Sequence, residues 1–304
     1  MTEISIVIVT HNSIGFIEDC MDSIFNQTYK EFEIVVIDNN SQDKTVEFVR
    51  KYYPRVNLIV NKRNMGFPYG CNQGIGIAKG RYILTLNSDV TLENDFLHKI
   101  KKAMDNASSN VGMISPKILW AKNKELIDST GLILSRARRF FSRGSGEIDK
   151  CQHDQDKEIL GPCAAAALYK KEMLENIKLL NEYFDSDFFL LLEDFDLAWR
   201  AKNFGWKVLY APETKCYHVR NVSGMKTRYV QYLCFRNRYF LMIKNDSIRN
   251  IFKNIFFILP YDILRFLYFL VTNEYAVKAL RELMIALPKM LKKRQIISSK
   301  KRSL

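Results

Sequence analysis

Four short apolar runs, at residues 4–9, 32–37, 56–60 and 82–86, alternate with stretches of helical periodicity. That alternation restricts the fold more than any other feature of the chain. Runs this short and this rich in β-branched residues suit buried strands. Strands separated by single helices and short loops predict an α/β fold, a mostly parallel sheet with helices on both faces. Asn12 or Ser13 is placed to cap a helix over 16–25, and Asp43 lies near the positive end of one through Thr45 and Val49. Residues 66–78 read as a Gly-containing loop and helix.

Three of these runs stop at polar clusters: Thr10-His11-Asn12-Ser13, Asp38-Asn39-Asn40-Ser41 and Asn87-Ser88-Asp89. In a parallel sheet such ends share the carboxyl edge, where open α/β sheets bind ligands. Thr10, Asp38 and Asp89 are therefore expected to converge. A carboxylate there suits a hard cation held against a diphosphate, although Asn-Ser-Asp is also an ordinary turn before a helix.

Further on, a helix over 96–104 and a strand over 111–115 are expected. Residues 136–146, basic and punctuated by Gly and Ser, read as a mobile loop, either a solvated excursion or a cover over an anionic substrate. The small-residue run 161–169 allows a close approach of backbone or ligand. The apolar run 188–192 leads directly into Glu193-Asp194-Phe195-Asp196, and acids beside so apolar a stretch invite raised pKa values. The same acids also suit the first turn of a helix, and Asp196 and Arg200 stand at the i, i+4 spacing of an ion pair. A short strand over 208–210 precedes His218, which alone carries little weight as a ligand.

Two motifs are excluded. Residues 74–80 look like a dinucleotide-binding glycine loop, but a helix precedes them and a strand follows, the reverse of what that motif needs. No G-x-x-x-x-G-K-[ST] occurs.

The chain has 304 residues and a net charge of +13, with Lys289, Lys292, Lys293, Arg294, Lys300 and Lys301 close together near its end. Such a tail expects an anionic partner, or only water. Six scattered cysteines form no C-x-x-C pair, which favours a reducing cytosol over a zinc or disulfide framework. Met1-Thr2-Glu3 does not read as the start of a secretory signal. Residues 251–271 are strongly apolar yet interrupted by Lys253, Pro260, Asp262 and Arg265. They suit a helix pair in a membrane interface with the basic tail on anionic lipid, or a packed helical subdomain or dimer face.

Taken together, the ordered motifs resemble family 2 glycosyltransferases of the GT-A fold, most closely the rhamnosyltransferase-like members. The likeness covers residues 4 to about 237. Val9-Thr10-His11-Asn12 resembles the family's first nucleotide-contacting turn. Asp38 and Asn39 fall in the segment whose first Asp reads the base. Asn64-Met65-Gly66-Phe67 with Gly70, Asn72 and Gly74 is similar to the N-x-G-[FY]-…-G-x-N-x-G segment near the nucleotide. Leu86-Asn87-Ser88-Asp89 resembles the L-N-x-D form of the metal-binding motif. Phe184-Asp185-Ser186-Asp187-Phe188-Phe189 is similar to F-D-E-x-F-F, departing at Ser186. Residues 193–200 resemble E-D-x-D-L-x-x-R, and His218 with Ser223-Gly224 approximates a late H-x-x-x-S element.

The resemblance implies a GT-A domain over 1–245, and the apolar and basic make-up of 246–304 leaves that part as a membrane-peripheral helical region. It implies inverting transfer of a sugar, rhamnose favoured, from a dTDP- or UDP-linked donor. The acceptor would be a saccharide or lipid-linked saccharide in envelope polysaccharide synthesis, on the cytoplasmic face of the membrane. Asp194 is implied as base with Glu193 beside it. Thr10, His11, Asn12, Asp38, Asn39, Asn64, Gly66, Phe67, Asn72, Asn87 and Ser88 are implied at the nucleotide sugar, and Asp89 and His218 at Mg²⁺ or Mn²⁺. The competing class is a non-catalytic membrane-surface or nucleic-acid-binding protein using the basic tail. It leaves Asp38, Asp89 and Glu193-Asp194 without a reason, and the tail lacks the interleaved aromatics of an RNA-binding motif. A nucleotidylyltransferase would want a glycine-rich basic loop after the first strand, which residues 10–13 are not.

Overall fold

A computed structural model describes residues 2–155, 158–220 and 227–302. Its first half is the expected alternation: β1 (Ile4–Thr10), α1 (Ile17–Phe25), β2 (Phe32–Asp38), α2 (Thr45–Tyr52), β3 (Asn57–Val60), α3 (Phe67–Ile77) and β4 (Tyr82–Asn87). Ile17, Cys20, Met21 and Ile24 form the buried stripe that seats α1 on the sheet. No side chain caps α1. Ser13 instead accepts the Phe16 and Ile17 N–H groups through its backbone oxygen, at 2.9 Å each. Asp43 does serve α2, accepting the Thr45 N–H at 3.0 Å.

The second half adds β5 (Val90–Leu92), α4 (Phe96–Asp105), β6 (Val111–Trp120), β7 (Ile127–Ser129), β8 (Leu132–Leu134), β9 (Phe140–Ser142), β10 (Ala166–Lys170), α5 (Lys171–Ile177), α6 (Glu193–Asn203) and β11 (Lys207–His218). Among the described residues one sheet runs β3-β2-β1-β4-β10-β6-β11-β5, with β7 beside β6. The β3, β2, β1 and β4 strands are parallel, whereas β10 enters antiparallel between β4 and β6. Two expected strands prove to be pieces of longer ones. The strand expected to end at Ser115 continues through Pro116 to Trp120. The one expected over 208–210 continues past a register shift between Ala211 and Lys215 as far as His218. A bulge of this kind hides continuity from a period-two reading.

Gly70 and Gly74 are explained by packing. A Cβ on Gly70 or Gly74 would meet Val9 at 2.7 Å or Val7 at 2.4 Å, so their absence lets α3 lie directly on β1. Residues 136–146 are not a loose cover. They contain β9, hydrogen-bonded to β8, and Arg138 and Arg143 are buried. Arg138 Nε lies 2.5 Å from Asp246, and Arg143 Nε donates to Thr130 at 2.9 Å.

The C-terminal part is helical: α7 (Arg228–Asn245), α8 (Ile248–Lys253), α9 (Ile255–Thr272) and α10 (Ala276–Arg302). Pro260 does not split the apolar stretch, because α9 runs through it. The basic tail is also less free than its composition implies. Lys293 is buried and reaches Asp185 at 2.5 Å and Asp187 at 2.7 Å, Lys289 reaches Asp187 at 2.5 Å, and Arg294 donates to the Ile243 carbonyl at 2.9 Å. Met290 and Ile297 of α10 join the core made by Leu197, Phe204 and Phe240. The expected boundary at 245 thus falls at the end of α7, but α10 returns across it.

Asp185 accepts from both Lys244 and Lys293 at 2.5 Å, and burial, which alone would raise its pKa, is outweighed by these two charges, so its carboxyl is held well below its ordinary value. Removing one member of a buried ion pair typically costs about 3–5 kcal/mol. Asp185→Asn should lie near the lower figure, about 3 kcal/mol, because Lys244 keeps Asp196 and Lys293 keeps Asp187. Urea unfolding checks this; an unchanged midpoint would show that the cluster does not hold α10 in place.

Candidate active site

The strand register brings the polar ends together. Thr10 pairs with Asp38, and Val9 with Asn87. The loops after β1 and β2 are knitted to each other: Ser41 Oγ accepts from the Asn12 N–H at 2.9 Å, and Asn12 Oδ1 from the Gln42 N–H at 2.7 Å. His11 and Asn12 face solvent at this edge, and Thr10 is buried with a hydroxyl that has no partner. Asp38, expected at the base, is fully buried and turns its carboxylate onto the Ser41 N–H and hydroxyl.

Several residues expected at the nucleotide are instead fastened to the protein. Asn39 donates to the Gly66 carbonyl at 3.0 Å and accepts from Asn61 at 2.9 Å. Asn64 accepts the Gly66 N–H at 2.9 Å, shaping the turn into α3. Asn72 accepts from the Tyr183 and Phe184 N–H groups at 2.9 Å each and donates to the Phe184 carbonyl at 2.7 Å. Its carboxamide ties α3 to the segment before α6. Ser88 is buried and donates to Ser13 at 2.9 Å. Asn87 is half-buried at the strand end, with its N–H on Ala165 O at 2.9 Å. Gly66 has φ +85°, and a Cβ there would lie 2.3 Å from Phe189 O, while the Phe67 N–H donates to that same oxygen at 2.9 Å.

Antiparallel pairing of β11 with β5 sets His218 opposite Val90, one residue beyond Asp89. His218 Nε2 lies 3.2 Å from Asp89 Oδ1, and Nδ1 lies 2.8 Å from Asp128 Oδ2. Asp128, on β7, is completely buried and also faces Arg220 at 3.0 Å. Burial by itself would lower the His218 pKa, but the two carboxylates raise it to about 9. Burial by itself would raise Asp89, but the His218 hydrogen bond and charge, with Arg220, leave it lowered. Asp128 and Arg220 were not singled out from sequence. A single acid some ninety positions away from its histidine carries no local signal.

A divalent cation has a place to sit here in terms of donor chemistry. A carboxylate oxygen and an imidazole nitrogen converge, and a second carboxylate fixes the far ring nitrogen, as it does for metal-ligating histidines. As it stands His218 is held protonated between Asp89 and Asp128, so a cation would take the place of the Nε2 proton, while Nδ1 keeps its own toward Asp128. Among the described residues no cluster of three or more such ligands exists, so the remaining positions would fall to diphosphate oxygens and water. Ser223-Gly224, expected beside His218, lies outside the described residues.

The acids of α6 separate in role. Asp194 is half-buried; its Oδ1 accepts the Phe195 N–H at 2.8 Å and its Oδ2 the Ala164 N–H at 3.4 Å. Ala164 O accepts the Thr85 hydroxyl at 2.9 Å, and the next carbonyl, Ala165 O, accepts Asn87 N–H. Two adjacent residues of the small-residue run thus join Asp194 to the end of β4. Burial pushes Asp194 up to about 6, against hydrogen bonds that lower it. Glu193, expected as its catalytic neighbour, turns inward. It is 6 % exposed, and Oε2 has no partner. Burial and the Asp194 charge push it up to about 8, so Asp194 ionises first and Glu193 stays protonated beside it. Asp196 and Arg200 form the expected pair, at 3.0 Å.

The family model described as Glycosyl transferase family 2 matches residues 5–178, more than half of the chain. The poly(ribitol-phosphate) beta-glucosyltransferase of Bacillus spizizenii is 26% identical over 232 residues, 71% of this chain and 35% of that protein. The poly-beta-1,6-N-acetyl-D-glucosamine synthase of Staphylococcus epidermidis is 23% identical over 224 residues, 70% of this chain and 49% of that protein. The chain spans from a tenth to about half of the length of the curated relatives it matches. Among solved structures, S. aureus TarS 1-349 in complex with UDP superposes with a TM-score of 0.57 at 18% identity, covering 99% of this chain and 87% of that one. The mannosyltransferase PcManGT of Pyrobaculum calidifontis, solved with GDP-Man and Mn2+, gives 0.60 at 16%, covering 98% and 85%. At these identities the structural likeness establishes the shared GT-A-type fold alone.

Proposed function

The chain belongs to glycosyl transferase family 2, and from that premise we propose that it transfers a sugar, with inversion, from a nucleoside diphosphate to a saccharide hydroxyl in polysaccharide synthesis. The observation that carries this reading is the link from Asp194 through Ala164-Ala165 to the end of β4 and Asp89. It supports a site in which a carboxylate of raised pKa stands near the strand end that would meet the diphosphate. Asp194 takes the proton of the attacking hydroxyl, and the hydroxyl oxygen forms the new bond as the diphosphate leaves. The half-buried setting that raises the Asp194 pKa also strengthens it as a base near neutral pH. Thr10, His11 and Asn12 hold the nucleotide from the edge of β1. When bound, a divalent cation held by Asp89 and His218 would neutralise charge developing on the departing phosphates.

The donor in this reading is dTDP-rhamnose, with a UDP-sugar next, and the acceptor is lipid-linked on the inner face of the membrane. The membrane part is supported by α9, the one helix among the described residues long and apolar enough to cross a membrane, with mean hydropathy 1.7. Its Phe256 and Val271 are 87% and 86% exposed, and Arg265 lies on the same helix, which suits a helix lying in the interface. The non-catalytic reading keeps that surface but gives Asp89, His218 and Asp194 no work.

A panel of dTDP-rhamnose, UDP-glucose, UDP-N-acetylglucosamine and GDP-mannose with Mn²⁺ tests the proposal beside flotation with anionic vesicles. A donor present at about 100 times its Kd should raise the melting temperature by roughly 5 °C or more. Flotation without stabilisation or hydrolysis of any donor would overturn the enzyme reading in favour of the membrane-surface one.

A further inference from the structure

The backbone leading into α6 is unusual. Phe189, Leu191 and Leu192 have φ of 63°, 71° and 68°, left-handed values that residues other than glycine rarely hold. Three such residues in a run of four relax to ordinary conformations unless something outside the run holds them. The run ends at Glu193-Asp194, so whatever holds it also sets where Asp194 stands.

Asn237, fully buried on α7, is what holds it. Its Nδ2 lies 3.1 Å from Phe188 O, 2.9 Å from Leu190 O and 2.8 Å from Leu191 O. Its Oδ1 accepts from Arg236 Nε at 3.0 Å and Nη2 at 2.9 Å. This surrounding fixes which way the carboxamide points. Arg236 is only a donor and the three carbonyls are only acceptors, so the flipped amide would face like with like on both sides. The same Nη2 donates to Phe188 O at 3.0 Å and Asp187 O at 3.2 Å. On the opposite side Phe189 O receives the Phe67 N–H, against Gly66 where no Cβ fits.

We propose that Asn237 is a positioning residue for Asp194: its carboxamide holds the left-handed turn 189–192 that delivers the base at the first turn of α6. The proposal rests on the reading of Asp194 as general base. Asn237 does not touch the site itself. It acts on the three carbonyls, they fix the turn, and the turn fixes the start of the helix. A displacement of about 1 Å in a reacting group costs roughly 100-fold in rate.

Asn237→Asp keeps shape and removes the donor, setting oxygen against three carbonyl oxygens. The expected result is a kcat reduced roughly 10- to 100-fold, with the donor KM and the UDP affinity measured by calorimetry little changed, because Thr10 and Asp89 lie on other elements. Adding Leu192→Gly, which holds φ near +68° without a side-chain penalty, should recover part of the lost kcat. A general loss of folding would not be recovered that way. Asn237→Ala, which removes the donor without setting an oxygen against the carbonyls, should fall between Asn237→Asp and the unsubstituted enzyme. The proposal is overturned by an Asn237→Asp protein that binds UDP and keeps wild-type kcat. It is equally overturned if neither Asn237 variant binds UDP, which would make the residue structural only. Asp194→Asn run alongside separates the failures: full activity there removes the base itself, whereas an inactive Asp194→Asn beside a fully active Asn237→Asp removes only the positioning role.

Discussion

Asp194→Asn should bind nucleotide normally and lose at least ~10²–10⁴-fold in kcat, the span that general base catalysis ordinarily supplies. The substitution keeps the size of the side chain and one carbonyl oxygen. It can therefore still accept the Phe195 N–H, and α6 should start where it does now. What disappears is the capacity to take a proton. The pH dependence of the unsubstituted enzyme gives the same answer independently. Asp194 must be ionised to act, and burial holds its pKa up at about 6. Activity should thus be low when Asp194 is protonated, rise as pH increases through about 6, and level off above. Glu193 remains protonated through neutral pH, so its own ionisation would alter the plateau only near pH 8. In Asp194→Asn the rise near 6 should vanish. Steady-state rates across pH, with UDP affinity measured on the same preparations, make the check. A variant with normal turnover would remove Asp194 as the base.

The second large effect belongs to Asp89. Asp89→Ala removes the strand-end carboxylate that faces His218 Nε2, and it should abolish activity together with its response to Mn²⁺ or Mg²⁺. Electrostatic stabilisation of the leaving group by a metal is worth several kcal/mol, so a loss on the order of 10³-fold or more is expected. The measurement is a Mn²⁺ titration of rate, beside Mn²⁺ binding followed by electron paramagnetic resonance with UDP present. The variant should fold, since Asp89 is partly exposed and its backbone oxygen, which accepts the Val219 N–H at 2.9 Å, is unchanged. Full activity of the parent chain in chelator would take the cation out of the scheme altogether.

The parallel half of the sheet was legible in the sequence because its strands are short, β-branched and interrupted by amphipathic helices whose apolar positions repeat at helical spacing. Strand and helix periods do not depend on distant partners. The rest was decided by contacts across the chain. Lys293 looks like a solvated cation until Asp185, more than a hundred positions earlier, is brought beneath it. Asn72 sits in a motif that suggested the nucleotide, yet the backbone of Tyr183 and Phe184 occupies its carboxamide. Arg138 read as part of a loop because nothing near it in sequence announces Asp246. At the site, the strand-end residues could be listed from sequence. How their polar atoms are engaged could not, since Asp38 accepts from Ser41 and Ser88 donates to Ser13, seventy-five positions away.

The return of α10 into the core bears on how such a chain can change over generations. An appended anchor can be exchanged between relatives as a cassette, leaving the rest untouched. Here Met290, Lys293 and Ile297 complete the packing and charge balance around Asp185, Leu197 and Phe240. A foreign C-terminal segment would have to supply a matching ammonium group and two apolar side chains at the same depth. The C-terminal helix and the segment around α6 are therefore inherited together, and substitutions in one should be accompanied by substitutions in the other.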